Sequence, residues 1–227
     1  MLINADFSRR AALTPEHHQW VKSPQNGVER VMLDRVGEEK ARATSLVRYA
    51  PSSYFPHHLH PGGEEILVLS GTFSADDTHY PVGWYLRNPP ASGHRPYSEE
   101  GAVIFVKLRQ MSSDESNPVA IDTQDSANWQ RQDNRDVCPL FLDSNEQVSL
   151  QRINADELLF DASIDGGAEL LVVAGELIDD DQVYQRGGWI RFPIGEQPQA
   201  KAGPEGATVY LKTGHLTHVI GLEMNET

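Results

Sequence analysis

Apolar residues along this chain come in short runs. "RVMLDRV", "TSLVRYA", "EEILVLSG" and "VIFVKLR" lie in the first half, and "VSLQRI", "AELLVVAG", "GWIRF" and "TVYLKT" in the second. The runs are β-branched or leucine-rich and end at Gly, Pro, Asp or Asn. Several alternate in polarity, as in Ser45-Leu46-Val47-Arg48-Tyr49, which is the period of a strand with one buried face. Helical periodicity is weak; only "TPEHHQW" and "NADELLF" (154–160) suggest a turn of helix. Short strands at regular spacing between turn residues predict an all-β chain of the sandwich or small-barrel kind.

The pattern repeats. With the chain displaced by 104 residues, "SLVRY" (45–49) falls on "SLQRI" (149–153), and "GGEEILVLSG" (62–71) falls on "GGAELLVVAG" (166–175) with six identities in ten. "YPVGWYLRNP" (80–89) falls on "YQRGGWIRFP" (184–193) and, one inserted residue later, "EGAVIFVK" (100–107) falls on "EGATVYLK" (205–212). Four collinear matches at nearly one offset indicate two tandem copies of one domain, 1–113 and 114–227. Trp20 and Trp129 open the copies, and "MSSDESNPVAIDTQDSANW" (111–129) has the composition of an exposed linker. Residues kept in both copies read as structural. Gly62-Gly63 and Gly166-Gly167 are turns, while Gly71, Gly83, Gly175 and Gly187 are strand ends. Arg48/Arg152, Arg87/Arg191 and Lys107/Lys212 are expected to pair with carboxylates or cover barrel ends, and Glu65, kept as Glu169, reads as structural.

The residues that differ carry the chemistry. His58 and His60 are one residue apart in an extended segment, so their rings share a face. Beyond the Gly62-Gly63 turn, Glu64 can lie beside them, and His94 follows the turn "NPPASG". Three imidazoles and a carboxylate suit Zn, Fe, Mn, Ni or Co, and a divalent cation relieves the cost of a buried ionised Glu. At the same offset the second copy has Ala162, Ile164, Ala168 and Pro198. All four candidates vanish together while the frame remains, as expected of groups that are useful only as a set.

These residues resemble the cupin family. The first motif reads His58-x-His60, three residues, Glu64, six residues, Gly71; the second runs Gly83, Pro89, His94, with Ala91 where the family usually has Gly. "RYAPSSYFPHHLHPGGEEILVLSGTF" with "YPVGWYLRNPPASGH" resembles in particular the cupin domain of ChrR, an anti-sigma factor of the extracytoplasmic-function class, over about residues 40–110. The resemblance implies two tandem jelly-roll barrels, the second degenerate. It also implies one divalent metal on His58, His60, Glu64 and His94: zinc first, with iron, manganese or nickel as alternatives. A sensor or regulatory role follows, with a protein partner or a small-molecule ligand near the metal. ChrR-type regulators hold their sigma factor with a separate zinc domain bearing HxxxCxxC, and no such motif occurs in these residues. Similar cupins imply the alternative of a metal-dependent dioxygenase cleaving a small diketone or aromatic ketone. A homodimer is expected from the resemblance alone.

Composition narrows the partners. Nineteen Lys and Arg against 33 Asp and Glu give a net charge of −14 over 227 residues, which argues against nucleic acid and anionic membrane surfaces. The single cysteine, Cys138, excludes an internal disulfide and fits a reducing compartment. No segment approaches the ~20 apolar residues of a membrane span, so a soluble cytoplasmic protein is expected. His57 points away from the cluster, and His17, His18, His215 and His218 read as solvated. Cys138 reads as a small buried residue. Tyr49, Tyr54, Phe55, Trp84, Tyr97 and Phe105 are divided between core packing and a pocket around the metal.

Overall fold

A computed structural model describes residues 1–38 and 40–222. Among them the regular structure is β-strand, apart from two single-turn 3₁₀ helices at Pro15–His17 and Ser126–Asn128. The first is the turn expected in "TPEHHQW"; residues 154–160 form no helix. There Arg135 holds the carbonyls of Leu158 and Leu159 at 2.8 and 3.0 Å, and Leu158 bridges Lys201 as an isolated strand pair. The chain is all-β, and among the described residues no helix is long and apolar enough to cross a membrane.

Two compact units result. One comprises Met1–Ala5, Gln19–Gln124 and the described part of Ile220–Thr227; the other comprises Asp6–His18 and Asp125–Val219. Within the first, antiparallel strands run in the order Leu2–Ile3, Val28–Val36, Arg42–Tyr49, Ala102–Leu108, Glu64–Ala75, Trp84–Asn88, Val119–Asp122. Within the second the order is Gln130–Gln132, Arg135–Leu142, Gln147–Ile153, Lys201–Thr213, Ala168–Asp179, Trp189–Phe192, Ala11–Leu13. The orders correspond strand for strand, and the 104-residue offset holds in the register: Asn88 lies opposite Glu64 and Phe192 opposite Ala168. The segment read as a linker is therefore partly strand. Val119–Asp122 pairs with Trp84–Asn88 in the first unit, as Ala11–Leu13 pairs with Trp189–Phe192 in the second.

Alternation along the long strands divides two environments. In the first unit Ile66 and Val68 join Phe73, Leu86, Ile104 and Val106 in one apolar cluster; in the second, Leu170 and Val172 join Ile190, Phe192, Val209 and Leu211. The opposite face carries a buried charged rung in each unit. Glu65 lies between Arg87 and Lys107 on its two neighbouring strands, and Glu169 between Arg191 and Lys212. Arg87 Nη1 is 3.1 Å from Glu65, and Lys107 Nζ donates to Thr44 Oγ1 at 2.9 Å. Paired charges can be desolvated; an isolated one cannot. Gly71 and Gly175 do not end strands but sit within them at φ 67° and 68°. A Cβ there would fall 2.0 Å from the Gly101 carbonyl oxygen and 2.2 Å from that of Gly206, so neighbouring backbones approach where only glycine fits.

Removing Arg87 takes the guanidinium from two carboxylates, the buried Glu65 at 3.1 Å and Glu115 at 2.8 Å. Arg87→Met is expected to cost about 3 kcal/mol or more, and Arg87→Met combined with Glu65→Leu to cost less than Arg87→Met alone. Urea unfolding of the three proteins checks this; an Arg87→Met loss below about 1 kcal/mol, the size of an exposed pair, contradicts it.

Candidate metal centre

Short elements bring the four residues together. His58–Leu59 pairs antiparallel with Gly93–His94, placing His58 and His94 opposite one another. His60 follows with its N–H donating to the Ser92 carbonyl at 2.8 Å and its carbonyl accepting from Ala91 N–H at 2.9 Å. The Gly62-Gly63 turn, with Gly63 at φ 75°, then reverses the chain into the strand that Glu64 opens. Glu64 shares a face with Ile66 and Val68, at the end of the apolar cluster, while Glu65 points into the charged rung on the other face.

One donor atom from each of His58, His60, Glu64 and His94 lies within 4.8 Å of the other three. Glu64 Oε2 is 3.4 Å from His60 Nε2 and 3.3 Å from His94 Nε2. Two donors each about 2.1 Å from a common ion stand roughly this far apart. His60, Glu64 and His94 are buried, whereas His58 is half-buried. The structure thus brings His58, His60, Glu64 and His94 together.

Hydrogen bonds fix which nitrogens are free. His58 Nδ1 lies 3.0 Å from the Pro56 carbonyl, which can only accept, so Nδ1 carries the proton and Nε2 keeps its lone pair. His60 Nδ1 lies 3.1 Å from Ser92 Oγ, whose own proton goes to the Pro89 carbonyl at 2.6 Å. Ser92 must then accept from Nδ1–H, and His60 Nε2 is left unprotonated. The buried Nε2 atoms of His60 and His94 have no hydrogen-bond partner, which is uncommon inside a protein unless something else occupies them. Anchoring the far nitrogen in this way is how proteins orient imidazoles toward metals.

The electrostatics agree. Burial pushes the Glu64 carboxyl up to about 7, against the opposing hydrogen bond from Asn88 Nδ2 at 3.1 Å. Burial, then the neighbouring His58 and His57, draw His60 down to about 4; burial, with His60, His58 and His57, draws His94 down to about 3. At neutral pH these two rings are neutral donors and the carboxyl is poised to give up its proton. The Tyr49 phenol is held neutral by burial and by the Glu64 charge. A cation would satisfy the two orphaned nitrogens and the carboxylate at once, so the cluster could hold a divalent metal. Its donor set does not select one metal.

Aromatic residues wall this space. Phe55 meets His58 edge-on at 6.1 Å, Phe73 lies 6.0 Å from His94, and Tyr49 contacts Phe55 and Phe73 at 5.9 and 5.8 Å. Trp84 packs against Tyr80, Tyr97 against His79, Tyr54 is exposed, and Phe105 faces the charged side with Lys107. Of the aromatics considered from sequence, Tyr49 and Phe55 belong to the centre. Sequence reasoning missed Asn88, Ser92 and Phe73. A signal existed for the first two: at the same offset Asn88 becomes Phe192 and Ser92 becomes Glu196, so supporting groups change together with the residues they support.

In the second unit the residues at the four donor positions are apolar. Ile164 and Ala168 join the hydrophobic cluster, Pro198 is buried, and Ala162 is exposed. His57, His17 and His218 are exposed and His18 half-buried. His215 departs from the expected solvated position: it is buried, with Nε2 3.5 Å from Glu169 Oε2. The acidic partner comes from a strand 46 residues earlier in the chain, on the rung that Trp189 Nε1 also reaches at 2.8 Å. Cys138 is buried, which pushes its thiol up to about 11.

Residues 8–112 match the family model of the ChrR cupin-like domain. No curated protein sequence matches the chain. Among solved structures it resembles a candidate dioxygenase from Nostoc punctiforme (14% identity, TM-score 0.69, covering 97% of this chain and 85% of that one). It also resembles the bacterial pirin YhhW in complex with nickel(II) from Escherichia coli (10%, TM-score 0.67, 90% and 98%) and a cupin 2 conserved barrel domain protein from Leptotrichia buccalis (12%, TM-score 0.59, 86% and 92%). The chain shares the fold of these structures, and residues 8–112 resemble the ChrR cupin-like domain.

Zinc affinity is expected to fall about tenfold per pH unit below 7, as protons compete for Glu64, and more steeply below about 4 as His60 and His94 protonate. Competition titrations check this; an affinity flat between pH 7 and 5 contradicts it. Ser92→Ala, which frees His60 to rotate, should weaken binding by about ten- to a hundredfold.

Proposed function

We propose that this chain is a double cupin holding a single divalent transition metal, zinc first, on His58, His60, Glu64 and His94, and that it works as a regulatory metal module of the ChrR kind. The observation that carries the reading is the convergence of four protein donors, two with unpartnered buried nitrogens, where the second unit has Ala162, Ile164, Ala168 and Pro198. Four protein donors close a zinc site to chemistry, which suits a structural or sensing role. The family match over residues 8–112 supports the same direction. A sigma factor or other protein partner would meet surfaces of these barrels; these residues themselves contain no HxxxCxxC segment.

The half-buried His58 favours a second reading. That side of the centre is the more exposed, and a metal-dependent dioxygenase acting on a diketone or aromatic ketone requires an open approach. The two readings separate in protein purified without a metal-affinity tag, by elemental analysis and oxygen electrode. About one zinc per chain with no oxygen uptake on acetylacetone is expected. Iron with stoichiometric oxygen uptake overturns the regulatory reading in favour of the enzyme.

A further inference from the structure

The second unit has lost the metal donors but not its cavity. A space of about 410 Å³ opens between the Gln147–Ile153 strand and the segment 159–164, at the place where His58 and His60 stand in the first unit. Its floor is apolar: Leu159, Ile164 and Leu211 are buried there, with Phe160 half-buried at one side.

The facing strands have changed in the opposite sense. In the first unit the register pairs Ala43 with Leu108 and Val47 with Ile104. The equivalent pairs in the second are Gln147 with Thr213 and Gln151 with Val209. Three apolar positions, Ala43, Val47 and Leu108, have become Gln147, Gln151 and Thr213, all lining the cavity. Decay of an unused site would leave either the old groups or an apolar fill. Gaining hydrogen-bonding groups on the wall opposite the lost imidazoles is a change of ligand chemistry.

The hydrogen bonds have a direction. Arg135 Nη1 donates to Gln151 Oε1 at 3.1 Å, and Gln151 Nε2 to Ser149 Oγ at 3.2 Å. Arginine only donates, so the amide orientation is fixed and Ser149 must accept. Ser149, 2% exposed and lining the cavity, therefore has its O–H proton available to a ligand. Arg135 itself is committed: it also donates to Glu157 at 2.9 Å and to the carbonyls of Leu158 and Leu159. With Glu157 neutralising it and Asp161 at the rim, the cavity offers no free cation to an anion.

We propose that this cavity binds a small, neutral, metal-free organic molecule, whose carbonyl or amide oxygen accepts from Ser149 O–H and whose apolar side lies against Phe160 and Leu211. The test uses the full chain, labelled with nitrogen-15, and three probes of one shape: benzamide, benzoate and benzylammonium. Benzamide is expected to shift the amide signals of residues 147–151 and 159–164 saturably and to bind more tightly than the two charged probes. Ser149→Ala should weaken benzamide about five- to tenfold, Ser149→Thr should restore it, and Ala162→Trp at the exposed rim should block it. The His58→Ala/His60→Ala chain should bind benzamide unchanged, since this site needs no metal. Shifts that do not saturate, tighter binding of benzoate, equal binding by Ser149→Ala, or loss in the His58→Ala/His60→Ala chain would each overturn the proposal.

Discussion

A carboxylate buried at the end of an apolar cluster must keep a proton or face a cation. Glu64 is in that position. Its one hydrogen bond, from Asn88, is too little to hold the charged form, and the two rings beside it are neutral at physiological pH. The surrounding structure makes sense as a way of holding this unstable arrangement ready. The His58/His94 strand pair, the Gly62-Gly63 turn and the Ser92–Pro89 contact each fix a donor facing the others. A divalent cation could supply the favourable interaction that offsets this cost.

The duplication gives an internal control. Both units keep the Lys–Glu–Arg rung, the mid-strand glycine and the strand order, so these features belong to the fold. What varies lies on the other face of the same strands. Glu64 and Glu65 are adjacent in sequence and similarly buried, yet Glu65 pairs with Arg87 while Glu64 meets imidazoles. The one-residue alternation of a strand separates a structural carboxylate from a functional one. Replacing Glu64 by Ala168 and Asn88 by Phe192 turns the polar end of the cluster into ordinary core without disturbing the rung beneath.

Much of this was legible in the sequence, for definable reasons. The 104-residue repeat and the two-residue alternation are local, and they led to the strands, the shared face of His58 and His60, and the asymmetry between copies. Pairings between distant short segments were not legible. "AAL" at 11–13 and "VAID" at 119–122 are too short to show a period, and their partners lie far along the chain, so the edge strands escaped and the second was read as linker. His215 was misread for the same reason, its carboxylate lying on a distant strand. Residues 154–160 carry helix-forming Ala, Glu and Leu, but Arg135 captures their carbonyls and overrides the propensity. Gly71 and Gly175 looked like strand ends because a glycine in a strand is equally consistent with a close approach by its neighbour.

The central claim is that a single cation belongs to the first unit and none to its twin. Anomalous diffraction at the absorption edge of the bound metal, from crystals of the loaded full chain, tests it most directly. One peak enclosed by His58, His60, Glu64 and His94 is predicted. A peak among Ala162, Ile164, Ala168 and Pro198, or a loaded protein whose only peaks lie elsewhere, would contradict it.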